Sequence, residues 1–370
     1  MANSIDIIVP SFRVQKEYIL RITELAKPQD TIIKFYIIVD NPAVIVDAEI
    51  LDVIDNNLVH LIINQKNLGA SLTRNVGIEA GCGEWILFLD DDIKTDSNLL
   101  NIYKEAIDAY EDEIGFIGLV TVPPANSAFT EAILTSGSAS IFTISQNVDS
   151  YAWGATANIM IKREALGSIR FLEMYPKKGG GEDIDFFLRI RKANNYKNFK
   201  TLKKAQVWHP WWDNGKPNFK RPFRYGKGTG FLININPEYT RYDFPSTPEM
   251  LFFSLLFFLV SLFFAPSWSG LIGVFILGII FIELVSSFIN SIAKTKNLSP
   301  KVLFYIIIMK FCYDAGVLSI NLSNGFFKGF LKRFNYSGIQ KKDHFIRLNR
   351  YKISKLILFI LLMIVLLEFY

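Results

Sequence analysis

One stretch of the chain joins a fully apolar run directly to three consecutive carboxylates. The run Ile86 to Leu89 carries no polar side chain, and Asp90, Asp91 and Asp92 follow at once. A short uninterrupted apolar run is typical of a strand that is covered on both faces of a sheet. Because unpaired charges are very costly away from water, the three acids must leave the sheet at its edge. The pattern predicts a central parallel strand that delivers carboxylates into the crevice where open α/β sheets bind ligands.

Two interpretations of this acidic triplet follow from the residues alone. Hard divalent cations prefer oxygen ligands, and the diphosphate of a nucleotide needs such a cation, so the triplet is a candidate metal site. Alternatively, the acids form a solvated loop after the strand, or one of them caps the N-terminus of a helix.

The composition indicates a chain with both a water-exposed part and a membrane part. Of its 370 residues half are hydrophobic, the mean hydropathy is +0.24, and 20% of the residues are charged. The length suggests two or three domains. The only cysteines, Cys82 and Cys312, form no disulfide framework or zinc-ligand spacing, which fits a reducing compartment. The first residues lack the basic segment and apolar core of a signal peptide, so we expect the first domain to stay in the cytoplasm.

The N-terminal part of the chain predicts strands that alternate with helices. The predicted strands are Ile5–Val9, Ile32–Val39, Val59–Ile63 and Ile114–Val122, and the predicted helices are Glu17–Ala26, Ala70–Ala80 and Asn98–Glu111. This alternation indicates right-handed βαβ units and a mostly parallel sheet. A glycine-rich phosphate loop does not follow the first strand, which argues against a dinucleotide or P-loop site.

Four motifs occur in order along this predicted sheet. They are Ile8-Val9-Pro10-Ser11-Phe12, Val39-Asp40-Asn41, Asn67-Leu68-Gly69 with Arg74-Asn75-Val76-Gly77, and Leu89-Asp90-Asp91-Asp92. Together they resemble the family 2 glycosyltransferases with a GT-A fold, a Rossmann-like α/β domain with a mostly parallel central sheet. The resemblance implies a nucleotide-sugar donor, with a UDP-sugar as the first choice.

The resemblance also implies which residues contact the donor. Pro10 and Phe12 would border the base and the ribose, Asp40 would bond the base, and Arg74 would lie beside the base or the diphosphate. The alternative for Asp40 is a turn residue, and the alternative for Arg74 is an ion pair with a carboxylate at the sheet end.

The metal ligands expected from the resemblance come from two separate segments. Asp92 would bind Mn²⁺ or Mg²⁺, while Asp91 would face the ribose or sugar and Asp90 would be no more than the terminus of the strand. His209, within the aromatic segment Val207–Trp212, would be a further metal ligand. The alternative for His209 is a structural histidine among aromatic residues.

A glycine run leads into the candidate catalytic base. Gly179, Gly180 and Gly181 precede Glu182 and Asp183 at the start of an amphipathic helical pattern. Glycines let the backbone approach a ligand closely, although acids are also favoured in any first helical turn by the helix dipole. Glycosyl transfer needs the charge of the departing diphosphate to be neutralised and the attacking hydroxyl to lose its proton to one carboxylate. The resemblance makes Asp183 the base of an inverting displacement, with Glu182 as the second choice.

Two further segments predict loops. Residues 125–150 are rich in Ser, Thr, Ala and Asn and carry little charge. Arg221–Gly230 is basic and glycine-rich, and we expect a mobile loop that closes over the diphosphate, contacts a phosphate of the acceptor, or is simply solvated.

Residues 236–370 predict an α-helical membrane module that follows a GT-A domain at residues 1–235. Runs of about 20 apolar residues are needed to span a bilayer, and we predict spanning helices at about 249–268, 270–290 and 353–369. The uncharged turn Pro266–Ser269 is expected outside, because Lys294, Lys296 and Lys301 follow the second run.

The segment 302–322 differs from the other runs because Lys310 and Asp314 lie near its middle. Charges are costly there in lipid, so we predict an interfacial or re-entrant helix. The basic residues after it would then stay on the anionic inner leaflet; they are Lys328, Lys332, Arg333, Lys341, Lys342, Arg347, Arg350 and Lys352. Glu283, inside the second run, is a candidate functional residue; alternatively it snorkels toward the membrane surface or pairs with Lys310.

These expectations lead to one principal function and two alternatives. The principal one is a multi-pass inner-membrane glycosyltransferase with a cytoplasmic catalytic domain. It would transfer a sugar to a lipid-linked or growing glycan acceptor in surface polysaccharide synthesis, with membrane lipids and not nucleic acid as further partners. The alternatives are an inactive membrane scaffold and a sugar-phosphate nucleotidyltransferase, although the latter needs a glycine-rich basic loop where Pro10-Ser11-Phe12-Arg13 stands.

Overall fold

The computed structural model describes residues 3–293, 299–340 and 348–368. Lys294, Lys296, Lys341, Lys342 and Arg347, which belong to the predicted basic flanks, lie outside these ranges. The chain divides into two compact units. The first comprises Met1–Pro124, Ala139–Asn214 and Ser337–Ile339, and the second comprises Ala125–Ser138, Gly215–Tyr336 and Gln340–Tyr370. The predicted boundary at residue 235 stays a prediction.

Strands and helices alternate through the first unit, and helices dominate the second. The strands are β1 Asn3–Ser11, β2 Thr31–Val39, β3 Val59–Ile63, β4 Trp85–Leu89, β5 Lys94–Thr95, β6 Gly115–Thr121, β7 Ser150–Tyr151, β8 Asn158–Lys162, β9 Phe199–Trp208, β10 Thr240–Tyr242 and β11 Lys332–Phe334. The helices are α1 Lys16–Thr23, α2 Ala48–Asp52, α3 Ala70–Ala80, α4 Leu99–Ala109, α5 Ala128–Ser136, α6 Ile144–Asn147, α7 Arg163–Leu166, α8 Glu182–Ala193, α9 Lys220–Ile235, α10 Thr247–Phe264, α11 Pro266–Ile292, α12 Pro300–Ser323 and α13 Arg350–Glu368.

The first unit is built on one sheet with the strand order β3-β2-β1-β4-β8-β6-β9-β5, in which β7 also pairs with β9. Strands β3, β2, β1 and β4 run parallel, with Ile5 beside Trp85 and Ile8 beside Phe88. β8 is inserted antiparallel between β4 and β6, and β9 is parallel to β6. Consequently β1, β2, β3, β4, β6 and β9 all end at the same edge of the sheet. The α/β fold class is confirmed, while the antiparallel insertion of β8 was not predicted.

Strand β4 lies at the centre of the core, as its apolar sequence predicts. Every residue from Trp85 to Leu89 is at most 1% exposed. Trp85 stacks on Phe116, and Phe88 makes edge contacts with Phe171 and Phe186. Since β4 is covered on both faces, the first positions at which its chain can carry charge lie beyond Leu89.

The prediction of loops was wrong for two segments. Residues 125–150 contain helices α5 and α6, and Ser127 caps α5 through a hydrogen bond from the Thr130 N–H to its Oγ of 3.2 Å. The basic segment Arg221–Gly230 lies inside the 16-residue helix α9 rather than in a mobile loop. Its glycines serve helix packing: a Cβ on Gly226 would lie 1.9 Å from the Tyr313 carbonyl oxygen in α12.

Helices α10, α11 and α12 are long and apolar enough to cross a membrane. Helix α10 begins at a capping box formed by Ser246 and Glu249. Helix α12, which the sequence places at the interface, thus has the length and composition of a spanning helix, whereas α13 carries Arg350, Lys352 and Lys355 near its start. Length and composition alone therefore leave the assignment of individual spans as a prediction.

The close contact between α9 and α12 requires a residue without a side chain at position 226. We expect Gly226→Ala to lower the free energy of unfolding of the second unit by roughly 1–3 kcal/mol, because the added methyl overpacks the helix contact. Thermal melting of the detergent-solubilised chain, followed by circular dichroism, measures this loss. Gly270→Ala in α11 is the matched control, since a Cβ there meets nothing within 4 Å. Equal melting of the two variants would contradict the packing argument.

Candidate active site

The parallel strand ends bring four loops to one edge of the first unit. β1 ends at Ser11, β2 at Val39 and β4 at Leu89, while β9 ends at Trp208. The chain continues from β1 to β2 on one side and reaches β4 on the other side of β1. Such a reversal of strand order opens a crevice at the carboxyl ends of the strands, where ligands bind in open α/β sheets.

Asp90, Asp92 and His209 form a cluster that could hold a metal ion. Each offers one ligand atom, and these atoms lie within 4.8 Å of one another. His209 Nε2 is 3.3 Å from Asp92 Oδ1. Two carboxylates and an imidazole are a donor set that suits Mn²⁺ and, through the oxygens, Mg²⁺. The sequence analysis selected Asp92 and His209 but not Asp90.

The surroundings of His209 fix its ring in the orientation that a ligand needs. Its Nδ1 lies 2.6 Å from the Pro210 carbonyl oxygen, which can only accept, so Nδ1 carries the proton. Nε2 is the nitrogen that faces Asp92, and metal-binding histidines typically use one nitrogen for the metal while the other donates to a carbonyl. Phe142 and Trp212 hold the ring from the sides, with centroid distances of 5.7 and 5.6 Å.

Asp91 has different partners from its two neighbours. The Ser11 hydroxyl donates to its Oδ2 at 2.6 Å, and Arg13 lies 3.1 Å from its Oδ1. Burial raises the pKa of Asp91 above its usual range, while the Ser11 hydrogen bond and the charge of Arg13 act in the opposite direction. The predicted contact of Asp91 with the donor stays a prediction, because here its carboxylate joins β4 to the loop after β1.

Arg13 is a site residue that the sequence analysis did not identify. Besides Asp91, it donates to Asp92 Oδ2 at 2.7 Å, and about half of its side chain is exposed. The available signal was electrostatic, since adjacent carboxylates at the end of a buried strand require nearby cations. Arg13 leaves Asp92 Oδ1 directed toward His209.

Arg74 provides the second cation of the acidic triplet. Helix α3 presents its Nη2 at 2.9 Å from Asp90 Oδ1, and the guanidinium lies over the Phe171 ring. The side chain is only 5% exposed, yet its Nε and Nη1 have no hydrogen-bond partner among the described residues. Leaving buried donors unpaired is costly, so these two N–H groups are suited to donate hydrogen bonds to an anionic ligand. The ion-pair interpretation of Arg74 and its proposed role in donor binding are thus compatible.

Asp40 shapes the loop between β3 and α3. Its carboxylate accepts from the Leu68 N–H at 2.7 Å, the Gly69 N–H at 2.8 Å and the Asn64 side chain at 2.9 Å. Gly69 has a φ of 85°, a left-handed conformation that glycine adopts without strain. The contact of Asp40 with a base stays a prediction.

Pro10 and Phe12 lie at the end of β1 and in the loop after it. Pro10 is partly exposed, and Phe12 leaves 49% of its surface exposed. An exposed aromatic ring beside the carboxyl ends of the strands can pack on a planar ligand. Their contacts with the base and ribose stay predictions.

The glycine run before α8 turns the chain through three left-handed residues. Gly179, Gly180 and Gly181 have φ angles of 82°, 139° and 91°, and α8 begins at Glu182. The Glu182 carboxylate folds back to accept the Gly180 N–H, and it is 5% exposed. Glu182 therefore holds its own loop together.

Asp183 is the less constrained of the two acids. At the helix start, the Ile184 N–H donates to its Oδ1 at 2.8 Å. Burial, together with the negative charge of Glu182, raises the pKa of Asp183 to about 7, against the opposing effects of Ile184 and Arg74. Arg74 thus interacts electrostatically with Asp183 while it is bonded to Asp90. A carboxylate with such a pKa is suited to accept a proton near neutral pH.

The comparison with family models gives a match over residues 6–159 to glycosyl transferase family 2. This range contains Pro10, Phe12, Asp40, Arg74 and the acidic triplet, and it ends within β8. No curated protein matches the chain.

Three solved structures are similar to the chain at low sequence identity. S. aureus TarS is 16% identical with a TM-score of 0.41, over 62% of this chain and 39% of that one. A TarS structure of residues 1–349 is 13% identical with a TM-score of 0.43, and the match covers 86% of this chain and 92% of that one. The structure of GalNAc-T7 with UDP, GalNAc and Mn2+ is 14% identical with a TM-score of 0.42, and the match covers 64% of this chain and 51% of that one. The chain thus spans less than two thirds of the first TarS structure and of GalNAc-T7.

At such identities and TM-scores we draw no argument about activity from these structures. The family match and the sheet topology agree on the same segment of the chain. The first unit therefore contains a glycosyl transferase family 2 domain over residues 6–159, built on a mixed, mostly parallel sheet.

Proposed function

We propose that the chain transfers a sugar from a nucleotide-sugar donor, a UDP-sugar as first choice, to a hydroxyl of a lipid-linked or growing glycan acceptor. The transfer inverts the anomeric centre and depends on Mn²⁺ or Mg²⁺. The observation that carries the proposal is the arrangement at the sheet edge, where Arg74 is bonded to Asp90 of the Asp90, Asp92 and His209 cluster. Arg74 also keeps two buried N–H groups without a partner among the described residues, and these groups suit a diphosphate beside the cation.

Each residue has a separate task in this proposal. Asp90, Asp92 and His209 would hold the cation, which when bound neutralises charge on the departing diphosphate. Arg74 donates its unpaired N–H groups to phosphate oxygens, and Pro10, Phe12, Asp40 and Asp91 bind the nucleoside and sugar. Asp183 accepts the proton of the attacking hydroxyl. A single displacement with the base opposite the leaving group inverts the configuration.

The membrane-capable helices support a membrane-bound acceptor. A chain with helices α10, α11 and α12 has the means to stay at a bilayer, where a lipid-linked sugar presents its hydroxyl. We therefore place the protein in the inner membrane as a multi-pass protein, with the catalytic domain in the cytoplasm and a role in surface polysaccharide synthesis. Membrane lipids are the further partners in this proposal.

Asp183→Asn tests the assignment of the base. We expect kcat to fall by about 10²- to 10⁴-fold, because the amide cannot accept the proton. Glu182→Gln is the matched control, since the amide oxygen can still accept the Gly180 N–H, and it should retain most of the activity. Release of nucleoside diphosphate from a panel of nucleotide sugars measures both variants. Near-normal turnover in Asp183→Asn would refute the assignment, and loss only in Glu182→Gln would transfer it to Glu182.

The raised pKa of Asp183 predicts a pH dependence of the rate. The base must be ionised, so kcat/KM should fall below about pH 7, by about tenfold per pH unit well below the pKa. A profile recorded from about pH 5 to about pH 9 at saturating cation measures this limb. Cation binding measured across the same range separates protonation of the ligands from protonation of the base. A rate that stays constant down to about pH 5 would contradict the proposal.

The raised pKa of Asp183 also makes the stability of the folded protein depend on pH. A carboxyl whose pKa is raised in the folded state destabilises the protein when ionised, so Asp183→Asn should raise the melting temperature above pH 7. The gain should vanish as the pH falls to the usual range of an Asp, where the folded and unfolded carboxyls are both protonated. An Asn variant that is inactive and yet melts higher at alkaline pH is folded.

Cation binding is tested without any turnover. His209→Gln and Asp92→Asn should each weaken Mn²⁺ binding by at least about tenfold, because a ligand is lost from a set of three. Titration of free Mn²⁺ by electron paramagnetic resonance measures the affinity. Asp213→Asn, an exposed carboxylate in the same loop, is the control and should leave the affinity unchanged. Unchanged affinity in the first two variants would remove the cation from the proposal.

A further inference from the structure

A network of buried charges joins four helices of the second unit. Glu283 in α11 is its centre, and this residue is 5% exposed. Lys355 lies 3.1 Å from Glu283 Oε2 and Lys310 lies 3.4 Å from Oε1, so the predicted pairing with Lys310 is present. The other members are Thr247, Ser287, Asp314 and Tyr351.

The network lies at one end of the hairpin that α10 and α11 form. Thr247, the first residue of α10, donates to Glu283, and residues 266–283 match the 18-residue length of α10. The apolar part of the hairpin is therefore about 27 Å long and lies entirely on one side of the network. This length approaches the hydrocarbon thickness of a bilayer.

The sequence of α11 changes from apolar to polar at Glu283. Residues 270–282 contain no polar side chain, whereas Ser286, Ser287, Asn290 and Ser291 follow Glu283 within the helix. The three serines are at most 4% exposed, so this end of α11 packs against protein. Helix α13 agrees with this boundary, because Tyr351 and Lys355 belong to its first turns and the residues after Lys355 are apolar up to Glu368.

Helix α12 meets the network in its middle and not at an end. Lys310 and Asp314 lie 3.1 Å apart near the centre of the 24-residue helix. Near its start, Tyr305 contacts Phe219, and near its end Asn321 lies 3.3 Å from Asn234. Helix α9 thus lies beside α12 from the start of both helices to the end of both.

The charge of α9 decides where this helix pair can lie. Lys220, Arg221, Arg224 and Lys227 fall in the first half of α9, which lies against α12 from Tyr305 to Gly316. If α12 crossed the bilayer, α9 would take these cations into hydrocarbon, which is costly. Cations of this kind are instead attracted to the headgroups of an anionic leaflet.

We propose that the charge network marks one surface of the bilayer, and that α12 lies along this surface without crossing it. Helix α10, residues 266–283 of α11 and the apolar part of α13 enter the bilayer on one side of the network. Lipid covers the apolar surface of these helices, on which Phe257, Phe263 and Phe264 of α10 are 66%, 82% and 85% exposed. Both ends of α12 then face the same compartment as α9, whereas the Pro266 turn faces the other.

Labelling of single cysteines tests this placement in the full chain. The background is Cys82→Ser with Cys312→Ser, which removes both native thiols. Lys301→Cys and Asn324→Cys report on the two ends of α12, Lys220→Cys reports on α9, and Ser267→Cys reports on the hairpin turn. All four positions are exposed. A membrane-impermeant maleimide is applied to inside-out and right-side-out vesicles.

We expect residues 220, 301 and 324 to label in the same vesicle orientation and to lose labelling in the other. Position 267 should show the reverse pattern. Labelling of 301 and 324 from opposite faces would show that α12 crosses the bilayer and would overturn the proposal. Labelling of 267 together with 220 would overturn it as well, because the hairpin would not cross. The readout does not depend on transfer activity, so the outcome is independent of the function proposed above.

Discussion

The candidate site depends on how three adjacent carboxylates are stabilised at the end of a buried strand. Water cannot reach β4 from either face, so protein groups must balance the charge at its tip. Arg74 forms an ion pair with Asp90, and the Ser11 hydroxyl donates a hydrogen bond to Asp91. Arg13 donates to both Asp91 and Asp92. Because each aspartate has a different set of partners, the three carboxylates are oriented differently and can perform different tasks.

Much of this arrangement could be predicted from the sequence, but the division of tasks could not. The apolar run and the strand ends are local patterns, and they place Asp40, the acidic triplet and His209 at one sheet edge. Which aspartates lie beside His209 depends on their ion pairs with Arg13 and Arg74, and these arginines belong to other segments of the chain. In the same way, Glu182 and Asp183 are equivalent in the sequence until the glycine backbone turns the Gly180 N–H toward Glu182.

Glycine explains why helix α9 was mistaken for a loop. Glycine has a low helix propensity, so the basic segment that contains Gly226, Gly228 and Gly230 was predicted to form a loop. In α9 the missing side chains instead let the backbone approach α12, where a Cβ on Gly316 would lie 2.0 Å from the Phe223 carbonyl oxygen. Close packing of small residues between helices is a tertiary feature, and it outweighs the local propensity.

The two clusters of buried charge in this protein differ in one physical respect. In the second unit both Glu283 oxygens are bonded, Oε1 by Ser287 and Lys310 and Oε2 by Tyr351 and Lys355, among others. At the sheet edge, Arg74 is equally buried but keeps two N–H groups without a partner among the described residues. A satisfied network needs no ligand to be stable, whereas an unsatisfied cation is stabilised when an anion binds. This difference indicates that the Glu283 network holds helices together, and it supports the ligand binding that we propose for Arg74.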